Sequence, residues 1–455
     1  MANSYLTRTL SSAGNRKTFT ISAWVKRSKL SYDFAYMVTA GQYQTDQMAQ
    51  FKFDANDNLN ISGYASDGSK DFRVNTNRRF RDVNAWYHVM AAVDTTQATA
   101  SNRVKLYVNG VQETSFEEAT YPSQNYDTAF NSAVDSLVGL RKGTSTYFEG
   151  YLSHVAIVDG AALAPTSFGE TDSTSGIWKF KSPSGVTWGT NGFHLKFENS
   201  GALGTDSSGN SNTFTVNGNL KQSLDTPSNS YATLNPNDVM NGGTGILKPT
   251  YSNGNLTMAN GVDDNRQAFG TLSPETGKWY YEMKIDAAPS NGHRIGVFFG
   301  NNKTHNGSYY YGANAFYIHQ NGQIYYNGSS TTYMSSYTAG DIISVALDVT
   351  NGNIYMSKNG GASDSTWSDG SGNNNQAFPG TSINGKLSAS WISGAATPFF
   401  DVYGNGDKQS INFGNGFFGT TPISSAGSNG NGSLFEYDVP SGYYALNTKN
   451  INTYG

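Results

Sequence analysis

The sequence predicts an all-β fold built from two tandem antiparallel β-sandwich (jelly-roll) domains. Three observations carry this. Apolar and polar residues alternate with period two along most of the chain, and helical periodicity is nearly absent. Asn-Gly supplies the two positive φ angles of a type I′ hairpin turn. It occurs 17 times, only once before residue 190, so the two halves use different turn chemistry. Finally, 455 residues are too many for one ordinary domain and suit two. The expected boundaries are a first sandwich over 1–170, an ordered connector over 171–235 and a second sandwich over 236–455.

Taken in order, Phe19, Ile21, Ala23 and Val25 alternate with Thr20, Ser22, Trp24 and Lys26, which predicts an early half-buried strand. Phe51-Lys-Phe53 and Leu59-Asn-Ile61 flank the turn-forming run Asp54-Ala-Asn-Asp57. Val104, Leu106 and Val108 alternate and run into Asn109-Gly110. The connector is rich in Gly, Ser, Thr and Asn, with strand-like pieces at Phe193–Phe197 and Phe214–Val216. In the last half, Trp279, Tyr281, Met283 and Ile285 alternate with Tyr280, Glu282, Lys284 and Asp286. Residues 342–349 alternate again and end at Asn351-Gly352.

Composition narrows the functional classes. Aromatic residues are 13% of the chain, enough to fill two cores, whereas charged residues are only 14%, so Asn, Ser, Thr, Gly and Tyr must cover the surface. The net charge of −4 argues against nucleic acid as a partner. The local run Arg73, Arg78, Arg79 and Arg81 is flanked by Asp71 and Asp82 and reads as a solvated strand edge. With no cysteine, disulfides and Cys-based metal sites are excluded, and folding in a reducing cytoplasm is expected. No apolar stretch at the N-terminus is long enough for a signal peptide, and no run approaches the ~18 apolar residues of a membrane span.

Particular residues carry a resemblance to known families. Phe19-Thr-Ile-Ser-Ala-Trp-Val-Lys26 forms the first of three segments. Trp86-Tyr-His-Val89 leading to Leu106-Tyr-Val-Asn-Gly110 is the second, and Phe148-Glu-Gly-Tyr-Leu152 with Val155-Ala-Ile-Val-Asp159 is the third. Together they resemble the laminin-G-like, concanavalin A-like lectin/glucanase sandwich. Gly277-Lys-Trp-Tyr-Tyr-Glu282, Ile295-Gly-Val297, Ala346-Leu-Asp348 with Lys358-Asn-Gly360, Asn412-Phe-Gly414 and Gly442-Tyr-Tyr-Ala-Leu-Asn447 resemble a SPRY (B30.2-like) domain. The pairing of the two, with Thr205-Asp-Ser-Ser-Gly209 between them, is similar to virion structural proteins of tailed, marine-type bacteriophages. That resemblance implies synthesis in the host cytoplasm, release by lysis, other virion proteins as partners and a homo-oligomer, a trimer by analogy. The first sandwich begins near residue 1, so attachment through a globular surface or the C-terminus is expected, and relatives of this kind continue past the position of Gly455.

Catalytic and binding candidates follow from residue chemistry. Glycanases on concanavalin A-like folds use Glu-x-Asp-x-x-Glu on one strand. Glu170-Thr-Asp172 begins that way but continues to Ser175 and Gly176, and Glu282 with Asp286 reads as a solvated strand face, so no catalytic residue is assigned. The six histidines show no i, i+2 or i, i+4 pairing, and His88, between apolar strand neighbours, reads as a hydrogen-bonded structural residue. The resemblance to laminin-G-like domains makes Ca²⁺ a candidate cofactor. Asp54, Asn56 and Asp57 are the oxygen-rich candidates, with a hairpin turn as the simpler reading, and Asp206 is a further one.

The main binding candidate is the tyrosine-rich hairpin region 305–337. It carries Tyr309, Tyr310, Tyr311, Tyr317, Tyr325, Tyr326, Tyr333 and Tyr337, spaced by Ser, Gly and Asn as in an antibody paratope. The alternative is that half of these rings face the core. The functional expectation is a non-enzymatic virion surface protein, a tail fibre, spike or adhesin recognising a host glycan or protein receptor. A structural adaptor or capsid decoration protein is the alternative, and a glycan-degrading enzyme a third.

Overall fold

The computed structural model describes residues 4–32, 35–238, 240–242, 245–290, 292–299, 315–326, 329–361 and 395–455. The chain divides into two compact units, residues 1–222 with 226–228, and residues 223–225 with 229–455. Both are β-sandwiches.

In the first unit, the strand Thr18–Arg27 lies between Trp86–Asp94 and Gly150–Asp159 in a six-stranded antiparallel sheet. Phe19, Ile21, Ala23 and Val25 point into the core, as the alternation predicts. The facing sheet has eight strands, in the order Phe116–Thr120, Lys70–Arg79, Asn58–Tyr64, Met48–Phe53, Ala35–Ala40, Asp135–Val138, Tyr5–Thr9 and Thr215–Asn217. Phe51, Phe53, Leu59, Ile61, Phe72 and Val74 close the core from that side. Burying each such side chain contributes about 1.5–3 kcal/mol, so the aromatic-rich core offsets the low apolar content.

Much of the stretch expected as a connector is built into this unit. Phe193–Leu195 pairs with Gly150–Asp159, and Thr215–Asn217 pairs with the N-terminal strand Tyr5–Thr9. The Asp206 loop locks these pieces in place. Asn210 and Asn212 both donate to the Gly192 carbonyl, at 2.9 and 2.8 Å. Residues 165–190 cross the outer face of the six-stranded sheet, so Ser22, Trp24 and His88 are buried there as well.

The second unit packs Lys278–Ala287, Ile342–Asp348, Asn353–Lys358, Lys408–Asn412 and three short strands against a six-stranded sheet. That second sheet contains Arg266–Phe269, Ala396–Val402, Arg294–Phe299, Ala315–His319, Gln323–Tyr326 and Ser329–Thr332. Trp279, Tyr281, Met283 and Ile285 lie in the core. Among the described strand pairs of this unit one departs from the antiparallel rule, because Tyr444–Ala445 runs parallel to the start of Lys278–Ala287. A helix, Thr448–Tyr454, follows, capped by Asn447 through the Asn450 N–H.

Candidate functional site

The edge hairpins of the second unit position what is described of the tyrosine-rich region. Ala315–His319 and Gln323–Tyr326 are joined through Asn321-Gly322, where φ of Gly322 is +81°. Cross-strand pairing places Tyr317 opposite Tyr325. Their rings are stacked with centroids 5.4 Å apart and 8° between planes, and His319 meets Tyr325 edge-on at 5.8 Å. The Tyr325 hydroxyl donates to Gln323 Oε1 at 3.0 Å. Tyr325 is half-buried, so its ring is held on one side and reachable on another.

The other candidate tyrosines are distributed differently. Tyr317 and Tyr333 are only 2% and 5% exposed, and Tyr333 donates to the Met356 carbonyl. Tyr337 is buried too, with its hydroxyl donating to the His293 and Ile318 carbonyls. These three rings are structural, and Tyr325 is the half-exposed ring resting on Tyr317. Tyr309, Tyr310 and Tyr311 lie outside the described residues, as does the side chain of Tyr326.

The calcium candidates are occupied by donors. Asp54 Oδ1 accepts from the Asn56 and Asn58 N–H groups, and its Oδ2 accepts from Asn75 Nδ2. This is the Asx turn of a hairpin, with Asn56 at its tip. Asp57 is fully buried and ion-paired with Arg27 at 2.9 Å and Arg81 at 2.9 Å. Burial pushes the Asp57 carboxyl up, but the Ser31 N–H, Arg27 and Arg81 outweigh it and hold it below the ordinary carboxylate range. Asp206 accepts from the N–H groups of His194, Ser208 and Asn212 and from the Ser208 hydroxyl. Carboxylates surrounded by N–H groups and guanidinium do not suit a hard cation, so this donor set fits turns and not calcium. Among the described residues no group of three or more His, Asp or Glu could hold a metal ion.

The carboxylates weighed for catalysis are also engaged. Lys179 pairs with both Glu170 and Asp172. Glu282, expected on a solvated face, is instead fully buried, because residues 427–446 cover that face with Phe435, Val439 and Tyr443. Its oxygens accept from the Glu436 and Tyr437 N–H groups, Asn412 Nδ2 and the Tyr280 hydroxyl. Burial pushes Glu282 up to about 7 against these donors. Asp286 is four residues along the same strand, about 13 Å away, beyond the 5–9.5 Å of a glycosidase pair.

Sequence spacing missed one association. His154 Nδ1 and His194 Nε2 are 3.2 Å apart, although 40 residues separate them. His154 sits in a bulge of Gly150–Asp159 with φ of +50°, which turns its ring out of the strand alternation. Only the signal of a β-bulge could have revealed this, and none is visible in the residues Ser153-His154-Val155. Three of the four arginines of Lys70–Arg79 and its flank are met by acids of the neighbouring segments. Arg73 pairs with Glu118, Arg78 with Glu113 and Arg81 with Asp57.

Residues 2–166 match the family model of the concanavalin A-like lectin/glucanases superfamily, and residues 278–394 match that of the SPRY domain. The chain carries a concanavalin A-like domain followed by a SPRY domain. Among solved structures, the SPRY domain of human HERC1 is 19% identical, with a TM-score of 0.26, covering 34% of this chain and 87% of that one. The TRIM65 PSpry domain is 12% identical, with a TM-score of 0.26, covering 40% and 91%. The heptameric SAP-like pentraxin from Limulus polyphemus is 13% identical, with a TM-score of 0.27, covering 35% and 71%. No curated protein matches the chain. No helix among the described residues is long and apolar enough to cross a membrane. The concanavalin A-like and SPRY domains are both of binding-module type, which fits a recognition role.

Proposed function

We propose that this concanavalin A-like/SPRY protein is a non-enzymatic recognition protein, and that its SPRY domain contacts a glycan or protein receptor through the tyrosine hairpin. One observation carries the reading. The half-exposed Tyr325 ring is fixed by Tyr317, His319 and Gln323 before any ligand arrives. A ring so held loses little entropy on contact and offers a flat face to a sugar or an apolar side chain. Tyr309, Tyr310, Tyr311 and Tyr326, neighbours in sequence, are the further contact residues of this proposal.

The finer reading is a tailed-phage virion surface protein, a tail fibre, spike or adhesin that is a homo-oligomer, folds in the host cytoplasm and leaves by lysis. Its support is the order of the two domains, the low charge of 14% and the absence of cysteine. The test is binding to glycan arrays and to host envelopes. Tyr325→Ala and Tyr310→Ala should each weaken binding about tenfold or more while leaving the β-sheet circular dichroism unchanged, since a hot-spot aromatic carries ~2 kcal/mol. No binding by the parent chain to any envelope or glycan overturns the reading.

A further inference from the structure

The outer face of the six-stranded sheet in the first unit is closed by its own chain. Within residues 165–190, the short hairpin of Gly169–Thr171 and Trp178–Phe180 forms a separate two-stranded sheet, so side chains hold this hairpin to the sheet below, while the far end of the strap is anchored by the Asp159 N–H donating to the Trp188 carbonyl at 2.8 Å. Three of its rings lie on histidines. Trp178 stacks on His88, centroids 5.9 Å apart and planes 15° apart, and its Nε1–H donates to His88 Nδ1 at 3.1 Å. Phe180 stacks on His154 at 3.7 Å, and Trp188 stacks on His194 at 5.5 Å.

Hydrogen-bond direction makes these contacts depend on neutral imidazoles. An indole N–H can only donate, so His88 Nδ1 is the acceptor and its Nε2, 2.9 Å from Ser22 Oγ, carries the proton. A second proton on Nδ1 would set two N–H groups against each other. His154 and His194 share one N–H···N bond, so charging both opposes two donors and two cations. The left-handed φ of +50° at His154 adds strain that the strap contacts offset.

The charges around these rings are few. Burial is the cause that acts on His88, pushing it down to about 3. Burial, the neighbouring His194 and Lys196 push His154 down to about 3. Burial and Lys196 push His194 down to about 4, against the pull of Asp206. On the strap, Lys179 is paired with Glu170 and Asp172, and Lys181 donates to the Thr166 carbonyl. Folded values below the ordinary 6.5 mean that this contribution is complete above about pH 6.5 and drains as pH falls toward 3–4.

We propose that residues 165–190 form a proton-released strap: protonation of His88, His154 and His194 breaks its ring contacts and uncovers the apolar face of Trp24, Met90, Ala156 and Val158 while the sandwich beneath stays folded. Acidification thus turns a covered sheet face into an accessible one.

The chain has no cysteine, and Ile177, at the turn of the strap, is 66% exposed, so Ile177→Cys places one fluorophore on the strap of the full-length protein. Its anisotropy and the far-UV circular dichroism are followed together from neutral pH down to about pH 3. The expected result is an anisotropy drop about one pH unit above the loss of β-sheet signal. His88→Gln keeps an acceptor for the indole without a titrating group, and His154→Gln removes the histidine pair; each should move the anisotropy midpoint to lower pH. Coincident loss of both signals in the parent, or an anisotropy midpoint unmoved in both variants, overturns the proposal.

Discussion

At the scale of single residues, two buried carboxylates do opposite things. Asp57 neutralises Arg27 in the interior of the first unit, where the guanidinium also stacks on Phe53 at 4.7 Å and donates to the Phe80 carbonyl. Removing one partner of a buried pair leaves a charge in apolar surroundings, so Asp57→Ala should cost about 3–5 kcal/mol in denaturant unfolding of this unit. Asp57 is held below its ordinary value, so its share of stability is present at neutral pH and is lost as acid protonates it. Glu282 has the reverse sign. Its folded value of about 7 exceeds the ordinary 4.5, so its contribution is complete below about pH 4.5 and is lost as pH rises through 7. Stability of the second unit measured between pH 5 and 8 should fall with pH for this reason, and Glu282→Gln should flatten that slope. The sequence placed Glu282 on the outward side of its strand correctly. What it could not carry was the distant segment 427–446 that covers this side.

At the scale of elements, hairpins were the most legible feature, because their chemistry is local. Asn109-Gly110 predicted a type I′ turn, and both residues have positive φ, +48° and +81°. A further demand on Gly110 was invisible in sequence, since a Cβ there would lie 2.5 Å from the Trp178 ring of the strap. Gly110→Ala should therefore cost about 3 kcal/mol, more than the 1–2 kcal/mol of the left-handed backbone alone, and should change tryptophan fluorescence. The tyrosine hairpin shows the same division. Its turn at Asn321-Gly322 follows from local rules, whereas the core rings of Tyr333 and Tyr337 and the stacked pair of Tyr317 and Tyr325 on the opposite face follow from which sheet face meets the core.

At the scale of the whole molecule, each unit has its own apolar cluster, Leu6 to Phe214 in the first and Ala232 to Leu446 in the second. Scanning calorimetry of the full chain should resolve two transitions. Asp57→Ala should lower one of them and Glu282→Gln should alter the other, with little crossover, because residues without shared partners act additively. Two-residue periodicity, turn dipeptides and composition by themselves determined the all-β class and most core strands, and particular short motifs such as Phe19–Lys26 and Gly277–Glu282 carried the concanavalin A-like and SPRY resemblances, since each is written in neighbouring residues. Only the tertiary structure decided that Phe193–Leu195 and Thr215–Asn217 complete the first sandwich, that His154 meets His194, and which outer sheet faces are covered. Those outcomes depend on segments far apart in the chain competing for the same sheet edge or face, and the free energy of that competition lies in packing and desolvation, which no short window of residues encodes.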